Sequence, residues 1–184
     1  QAFSLDGVDD FVRILDNPSL NPAAGLTIEA WIKSSSTAGA RVIVSKWNDS
    51  TTDWSYIFKD HNNSDKLRVE LSESVHNDLA DLQGTSSIRT GRWIHVAATY
   101  DTNVVRLYFN GAQDASLTVG PDRFIDSSLT DLLIGAVSAG GGISENFAGL
   151  IDEVTLYDRA LEPSEILSIY RAGADGKIKP LTVV

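Results

Sequence analysis

The 184-residue chain has no cysteine and no methionine, only five prolines, and no apolar run long enough to cross a bilayer. Without cysteine there are no disulfides, no thiolate metal ligands and no thiol nucleophile. The compartment stays open on this ground, since an exported bacterial domain can dispense with cysteine, whereas a small secreted animal module would more often carry one. With no apolar stretch of about 18 residues, nothing reads as a membrane-spanning helix. No secretory apolar segment opens the chain, and Gln1 in place of Met suggests an excised domain or a processed product. Basic residues are scarce as well: 15 Lys and Arg against 25 Asp and Glu give a net charge of -10. That balance argues against nucleic acid, which is held by clustered Lys and Arg. It is compatible with a cation site and with neutral sugars, or it serves only to keep the domain soluble.

What is present is apolar alternation. With 42% apolar residues the chain can fill a two-layer core, and its length fits one domain. In Thr27 to Lys33, Ile28, Ala30 and Ile32 fall on one face and Glu29, Trp31 and Lys33 on the other. Ile94 to Tyr100 repeats that period, then turns at Asp101-Thr102-Asn103 into a second strand, Val104 to Phe109. Asn110-Gly111 supplies a further tight turn. Other strands are expected at Phe11 to Leu15, Arg41 to Lys46, Trp54 to Lys59, Lys66 to Leu71, Asp131 to Ala136 and Gly149 to Tyr157. Turn-rich stretches at short intervals separate them, as in an all-β sandwich. One helix is expected after Pro163, with Glu162 and Glu165 at its positive end, Ile166, Ile169 and Tyr170 on one face, and Gly173 closing it. Asn48 to Asp53, Ser72 to Ser87 and Ser138 to Asn146 read as longer loops. Residues 1–173 form the expected domain, and 174–184 a linker or a closing strand.

Two apolar segments near the ends carry acids. One is Leu5-Asp6-Gly7-Val8-Asp9-Asp10-Phe11-Val12, the other Phe147-Ala148-Gly149-Leu150-Ile151-Asp152-Glu153-Val154. If both are strands and meet, their carboxylates could share one hard cation, which takes six to eight oxygen ligands; calcium is the cofactor to consider. The same aspartates are good turn formers: Asp6-Gly7 and Asp9-Asp10 could simply cap turns.

These segments, together with Leu26-Thr27-Ile28-Glu29-Ala30-Trp31-Ile32-Lys33, Gly91-Arg92-Trp93-Ile94-His95-Val96 and Leu107-Tyr108-Phe109-Asn110-Gly111, resemble the laminin-G-like, concanavalin A-like jelly-roll family. The order and spacing of the motifs carry the likeness over residues 2 to 173. The resemblance implies a two-sheet antiparallel sandwich with one short C-terminal helix, in which first and last strands are neighbours. It also implies a structural calcium near that junction, with Asp152, Asp6, Asp9 and Asp10 as candidate ligands. Family members include binding modules, adhesion domains and hydrolases, so the site must be argued separately.

Hydrolases on this scaffold place two carboxylates about 5 Å apart on one face. Glu70 with Glu73, and Asp152 with Glu153, are the nearest pairs; odd spacing sends each pair to opposite faces of a strand. His61, His76 and His95 have no metal or triad spacing. No enzyme is expected. Aromatic rings are the usual sugar platforms. Trp31 and Trp93 read as packing residues inside strands. Trp47 and Trp54 flank the polar loop Asn48 to Asp53, with Tyr56 expected on the same face as Trp54. His61, Asn62, Asn63, His76, Asn77 and Asp78 would supply a polar rim; the alternative is that Trp54 and Tyr56 pack across the sandwich. The candidate ligand residues are thus Trp47, Asn48, Asp53, Trp54, Tyr56, His76 and Asn77. The expected function is a non-catalytic module that recognises a polysaccharide or surface glycan. Its setting is secreted or cell-surface, within a larger multidomain chain. The alternative is an adhesion domain that docks a cell-surface protein.

Overall fold

A computed structural model of the protein describes residues 2–35, 41–60, 64–73 and 77–173. In chain order the strands are β1 (Phe3–Asp6), β2 (Val12–Ile14), β3 (Leu26–Ser34), β4 (Arg41–Asn48), β5 (Asp53–Asp60), β6 (Lys66–Glu73) and β7 (Asn77–Ser87). They continue with β8 (Ile94–Tyr100), β9 (Val104–Phe109), β10 (Ala112–Thr118), β11 (Leu132–Ile134), β12 (Val137–Ala139), β13 (Gly142–Ser144) and β14 (Ala148–Tyr157), and one helix follows, α1 (Pro163–Ala172).

The strands form two sheets, as a jelly-roll sandwich requires. One has the order β1-β14-β3-β8-β9-β10; the other runs β13-β12-β4-β5-β6-β7, with β11 joining β2 to β4. The first and last strands are antiparallel neighbours, with Leu5 opposite Gly149 and Asp6 opposite Ala148. Side-chain alternation assigns the layers. Ile28, Ala30 and Ile32 of β3 and Val96 and Ala98 of β8 point inward, where they meet Val44, Phe58, Val69 and Leu71 of the opposite sheet in one core.

The helix adds a partial third layer on the outer face of the six-stranded sheet. Leu161 and Ile166 pack on Ala97 and Tyr108 there, with Ile169 and Tyr157 at the margin. Pro163 occupies its first turn, and Gly173 follows its last residue as its cap. Glu165 accepts the Glu162 N–H at 2.8 Å and Arg159 at 2.7 Å. The turn Asn110-Gly111 runs beneath the helix. A Cβ on Gly111 would sit 2.9 Å from the Tyr170 ring, and its φ of +77° already favours glycine.

Several expectations change. The segment Leu5 to Val12 is not one strand: β1 ends at Asp6, and the chain bends before β2. Ser72 to Ser87 is mostly strand β7, and Ser138 to Asn146 holds the β12–β13 hairpin. Both are polar enough to pass for loops, because one face of each is solvent-exposed or packs on polar neighbours.

Candidate functional site

The N-terminal acids come together without Asp152. Asp6, Asp9 and Asp10 each offer a carboxylate oxygen, all within 4.8 Å of one another, and all three side chains are exposed. Asp6 Oδ1 accepts the Val8 N–H at 2.8 Å, and Asp10 Oδ2 accepts the Asp6 N–H at 3.1 Å. These are the turn-capping contacts that Asp-Gly and Asp-Asp sequences favour. Asp152 lies four residues along β14 from the partner of Asp6, a separation of about 13 Å at the strand rise. Pairing of the end strands therefore holds, but their register does not bring the two acidic groups to one ion.

The expected aromatic platform also divides. Between β4 and β5 the register slips by one: Lys46 faces Tyr56, while Trp47 faces Trp54. Ser55 is the extra residue of this bulge, and it donates to the Asp126 carbonyl at 2.6 Å. The slip places Trp54 on the outer face with Ile57 and leaves Tyr56 inward. Tyr56 is 0% exposed, with its hydroxyl on the Leu20 carbonyl, so it faces no ligand. Trp47 is 6% exposed and stacks on half-buried Trp54 with ring centroids 5.1 Å apart. Its indole N–H donates to Asp49 Oδ1 at 2.7 Å. Asn48 accepts Ser50 N–H, and Asp53 accepts Leu129 N–H. These side chains hold their own loop. Asn77 begins β7, and His76 lies outside the described residues, as do His61, Asn62 and Asn63.

A different cleft forms on the outer face of the six-stranded sheet. Its volume is about 280 Å³ and its walls are Trp31, Trp93, Asp152 and Glu153. The β3 alternation puts Trp31 outward beside Asp152, its partner across the β3–β14 ladder. Trp93 is not inside a strand; it precedes β8 and is 40% exposed. Trp31 does lie inside a strand and pack, on Tyr170 and His95, whereas the expectation that Trp93 packs inside a strand is corrected.

Glu153 reaches the same cleft through a second bulge. Asp152 faces Trp31 and Thr155 faces Glu29, so β14 carries one residue more than β3 over this span. Glu153 takes φ of +53°, and its N–H donates to Asp152 Oδ1 at 2.9 Å. Val154 then turns to the core. Strict alternation would send the consecutive acids to opposite faces; the extra residue puts both on one. No sequence signal marks this bulge, since neither neighbour is glycine.

The cleft rests on a buried polar group. Trp31 stacks on Tyr170 of α1 with centroids 5.9 Å apart, and its ring lies 5.5 Å from that of His95. His95 Nε2 and Glu29 Oε2 are 2.9 Å apart, with both side chains 0% exposed. Tyr157 donates to Glu29 Oε1 at 3.2 Å. Burial, then the Glu29 charge, pushes the Tyr157 hydroxyl up to about 12, so it stays a donor at ordinary pH. Another depression, beside the start of α1, holds the closed ion pair Asp101–Arg106 at 2.8 Å.

The family described as "Concanavalin A-like lectin/glucanases superfamily" matches residues 6–167. A curated relative, Pappalysin-1 of Mus musculus, is 26% identical over 159 residues, 80% of this chain and 10% of that protein. The chain thus spans about a tenth of the length of the curated relatives it matches. Among solved structures, the heptameric SAP-like pentraxin of Limulus polyphemus superposes with a TM-score of 0.69 at 21% identity, over 91% of this chain and 80% of that one. The CBM40 of a Ruminococcus gnavus sialidase, bound to α2,3 sialyllactose, gives 0.69 at 16% identity, over 88% of this chain and 97% of that one.

Proposed function

Because the chain belongs to the concanavalin A-like lectin/glucanase superfamily, we propose that it is a non-catalytic module that recognises a glycan through the Trp31–Trp93 cleft. The observation that carries this reading is the pairing of two indoles with two carboxylates in one open cleft. Indole faces stack on the C–H faces of sugar rings, and carboxylates accept hydrogen bonds from hydroxyls. Tyr170 behind Trp31 fixes the ring before ligand arrives, which lowers the ordering cost of binding. Sugar-bound neighbours of the same fold support the class of ligand.

The β14 bulge brings Asp152 and Glu153 to one face, which removes the opposite-face ground for excluding hydrolysis. The non-catalytic reading is supported instead by the binding modules among solved structures of the same fold. A module of this kind concentrates whatever it is attached to on a polymer. The setting we propose is extracellular, within a longer multidomain chain, in keeping with relatives of which it spans a tenth. Calcium is proposed as a structural ion held by Asp6, Asp9 and Asp10, a donor set of oxygens alone that suits a hard cation.

Affinity electrophoresis through gels containing neutral polysaccharides tests the reading. The protein should be retarded, Trp93→Ala and Trp31→Ala should migrate freely, and no reducing ends should be released. Undiminished retention of both variants moves the site elsewhere, and turnover by the pure protein overturns the non-catalytic assignment.

A further inference from the structure

The cleft has a neighbour on the same sheet face. A second depression of about 370 Å³ has Ser4, Lys33, Ser35, Gly91 and Leu150 among its walls. Three segments supply a wall to each, two residues apart: β3 gives Trp31 and Lys33, β14 gives Asp152 and Leu150, and the approach to β8 gives Trp93 and Gly91. Period two puts the β3 and β14 pairs on one face, and the residues between them, Ile32 and Ile151, belong to the core. Among the described residues, no side chain of β3 or β14 therefore stands between the two depressions. Ser4, Leu150 and Lys33 form one rung of the ladder, and Asp152 with Trp31 the next outward one, about 7 Å away at the strand rise. Beyond Trp31 the row is closed. The following outward rung pairs Glu29 with Ala97, both 0% exposed, and Leu161 and Ile166 pack on Ala97. The helix is thus an end wall of the Trp31 cleft, and the way along these strands leads over Lys33 instead.

Resting on the glycan reading above, we infer that the site takes a run of at least two consecutive sugar units of a polymer chain, rather than a single capping sugar. One unit stacks on the indoles beside the α1 wall, and the next lies over Lys33. The two places differ in chemistry. The first offers aromatic faces. The second has no aromatic among its described walls; it offers the Lys33 ammonium and the Ser4 and Ser35 hydroxyls, which are hydrogen-bonding partners for sugar hydroxyls. A second unit joined to the first meets these groups at the high effective concentration that the glycosidic linkage sets, so its contacts add affinity that a free sugar cannot match. A lone sugar at the tip of a branched glycan leaves the second depression to water.

Tryptophan-fluorescence titration with length series tests this, using β-1,4-linked oligomers of glucose, xylose and N-acetylglucosamine and the oligomers of any polysaccharide that retards the protein in the gel. In a series that binds, affinity should rise at least about tenfold between one unit and three, more than the added registers of a longer chain supply. Lys33→Met keeps the apolar stem and removes the donors; Ser4→Tyr fills the second depression from an exposed position of β1. Each should bring the three-unit to one-unit affinity ratio toward parity, whereas Trp93→Ala should weaken binding at every length. Equal affinity for one unit and three overturns the inference while the glycan reading stands. A rise with length that neither variant diminishes also overturns it. No binding of any oligomer, together with no retardation in any polysaccharide gel, overturns both.

Discussion

Trp93 is the residue whose role departs most from its sequence context. Four apolar positions, Ile94, Val96, Ala98 and Tyr100, follow it at period two, and that company reads as core; yet it stands one residue ahead of β8 and is 40% exposed. Its removal should leave folding nearly intact, within about 0.5 kcal/mol as for a surface change, while binding is lost. A large loss of stability in urea melts would return it to the core. Glu29 is the opposite case. Its outward place among Trp31 and Lys33 was legible from alternation, but not the helix that covers it. Glu29→Ala deprives both His95 and Tyr157 of their shared acceptor. A cost of about 2–4 kcal/mol is expected from two orphaned buried groups, read from the urea midpoint. A variant as stable as wild type would mean that water replaces the carboxylate.

At the scale of elements, the strands were legible because apolar period two survives in β3, β8 and β9. The site was not, because it is made by departures from that period. Ser55 turns Trp54 away from Tyr56, and Glu153 joins Asp152 on one face. A bulge shifts every face assignment beyond it by one, and neither bulge carries a glycine to announce it. The β7–β10 contact depends on a similar device. Asp114, at a slip in the β9–β10 register, accepts from the Thr85 and Ser86 amides and hydroxyls, and a Cβ at Gly84 would collide with its carboxylate. Asp114→Ala should cost about 1.5–3 kcal/mol, as for hydrogen bonds to a charged acceptor; an unchanged melting temperature would discount the clamp. The helix was legible down to its cap, and it carries a pH dependence. Arg159, then the Glu162 N–H, hold the Glu165 carboxyl down to about 2 from its usual 4.5. A depressed carboxyl stabilises the fold above its unfolded pKa and loses that contribution as pH falls from about 4.5 through 2. Seating of α1, followed by tryptophan fluorescence of the Trp31–Tyr170 stack, should loosen over that window, and Glu165→Gln should flatten the profile. A wild-type profile as flat as that of Glu165→Gln would contradict it.

For the whole molecule, two sheets with neighbouring first and last strands were implied by the family resemblance, whereas the register between those strands was not. A shift of four residues is invisible in a list of apolar positions, yet it separates Asp6 from Asp152 by about 13 Å. Calcium therefore has a consequence for the intact protein rather than for the seam between its ends. If Asp6, Asp9 and Asp10 bind it, adding the ion raises the melting temperature in proportion to occupancy, because only the native turn gathers the three carboxylates. Asp9→Asn with Asp10→Asn should abolish the rise. A chelator-insensitive melt of the wild-type protein would leave the cluster as turn caps alone.

Gly111 lies outside the described walls of the cleft, yet a Cβ on it would come within 2.9 Å of the Tyr170 ring, and Trp31 stacks on that same ring. The tilt of the cleft-lining indole is thus shimmed by the thinnest residue available. A single methyl there would act as a wedge, jacking the tyrosine outward and skewing the indole without altering any wall of the cleft.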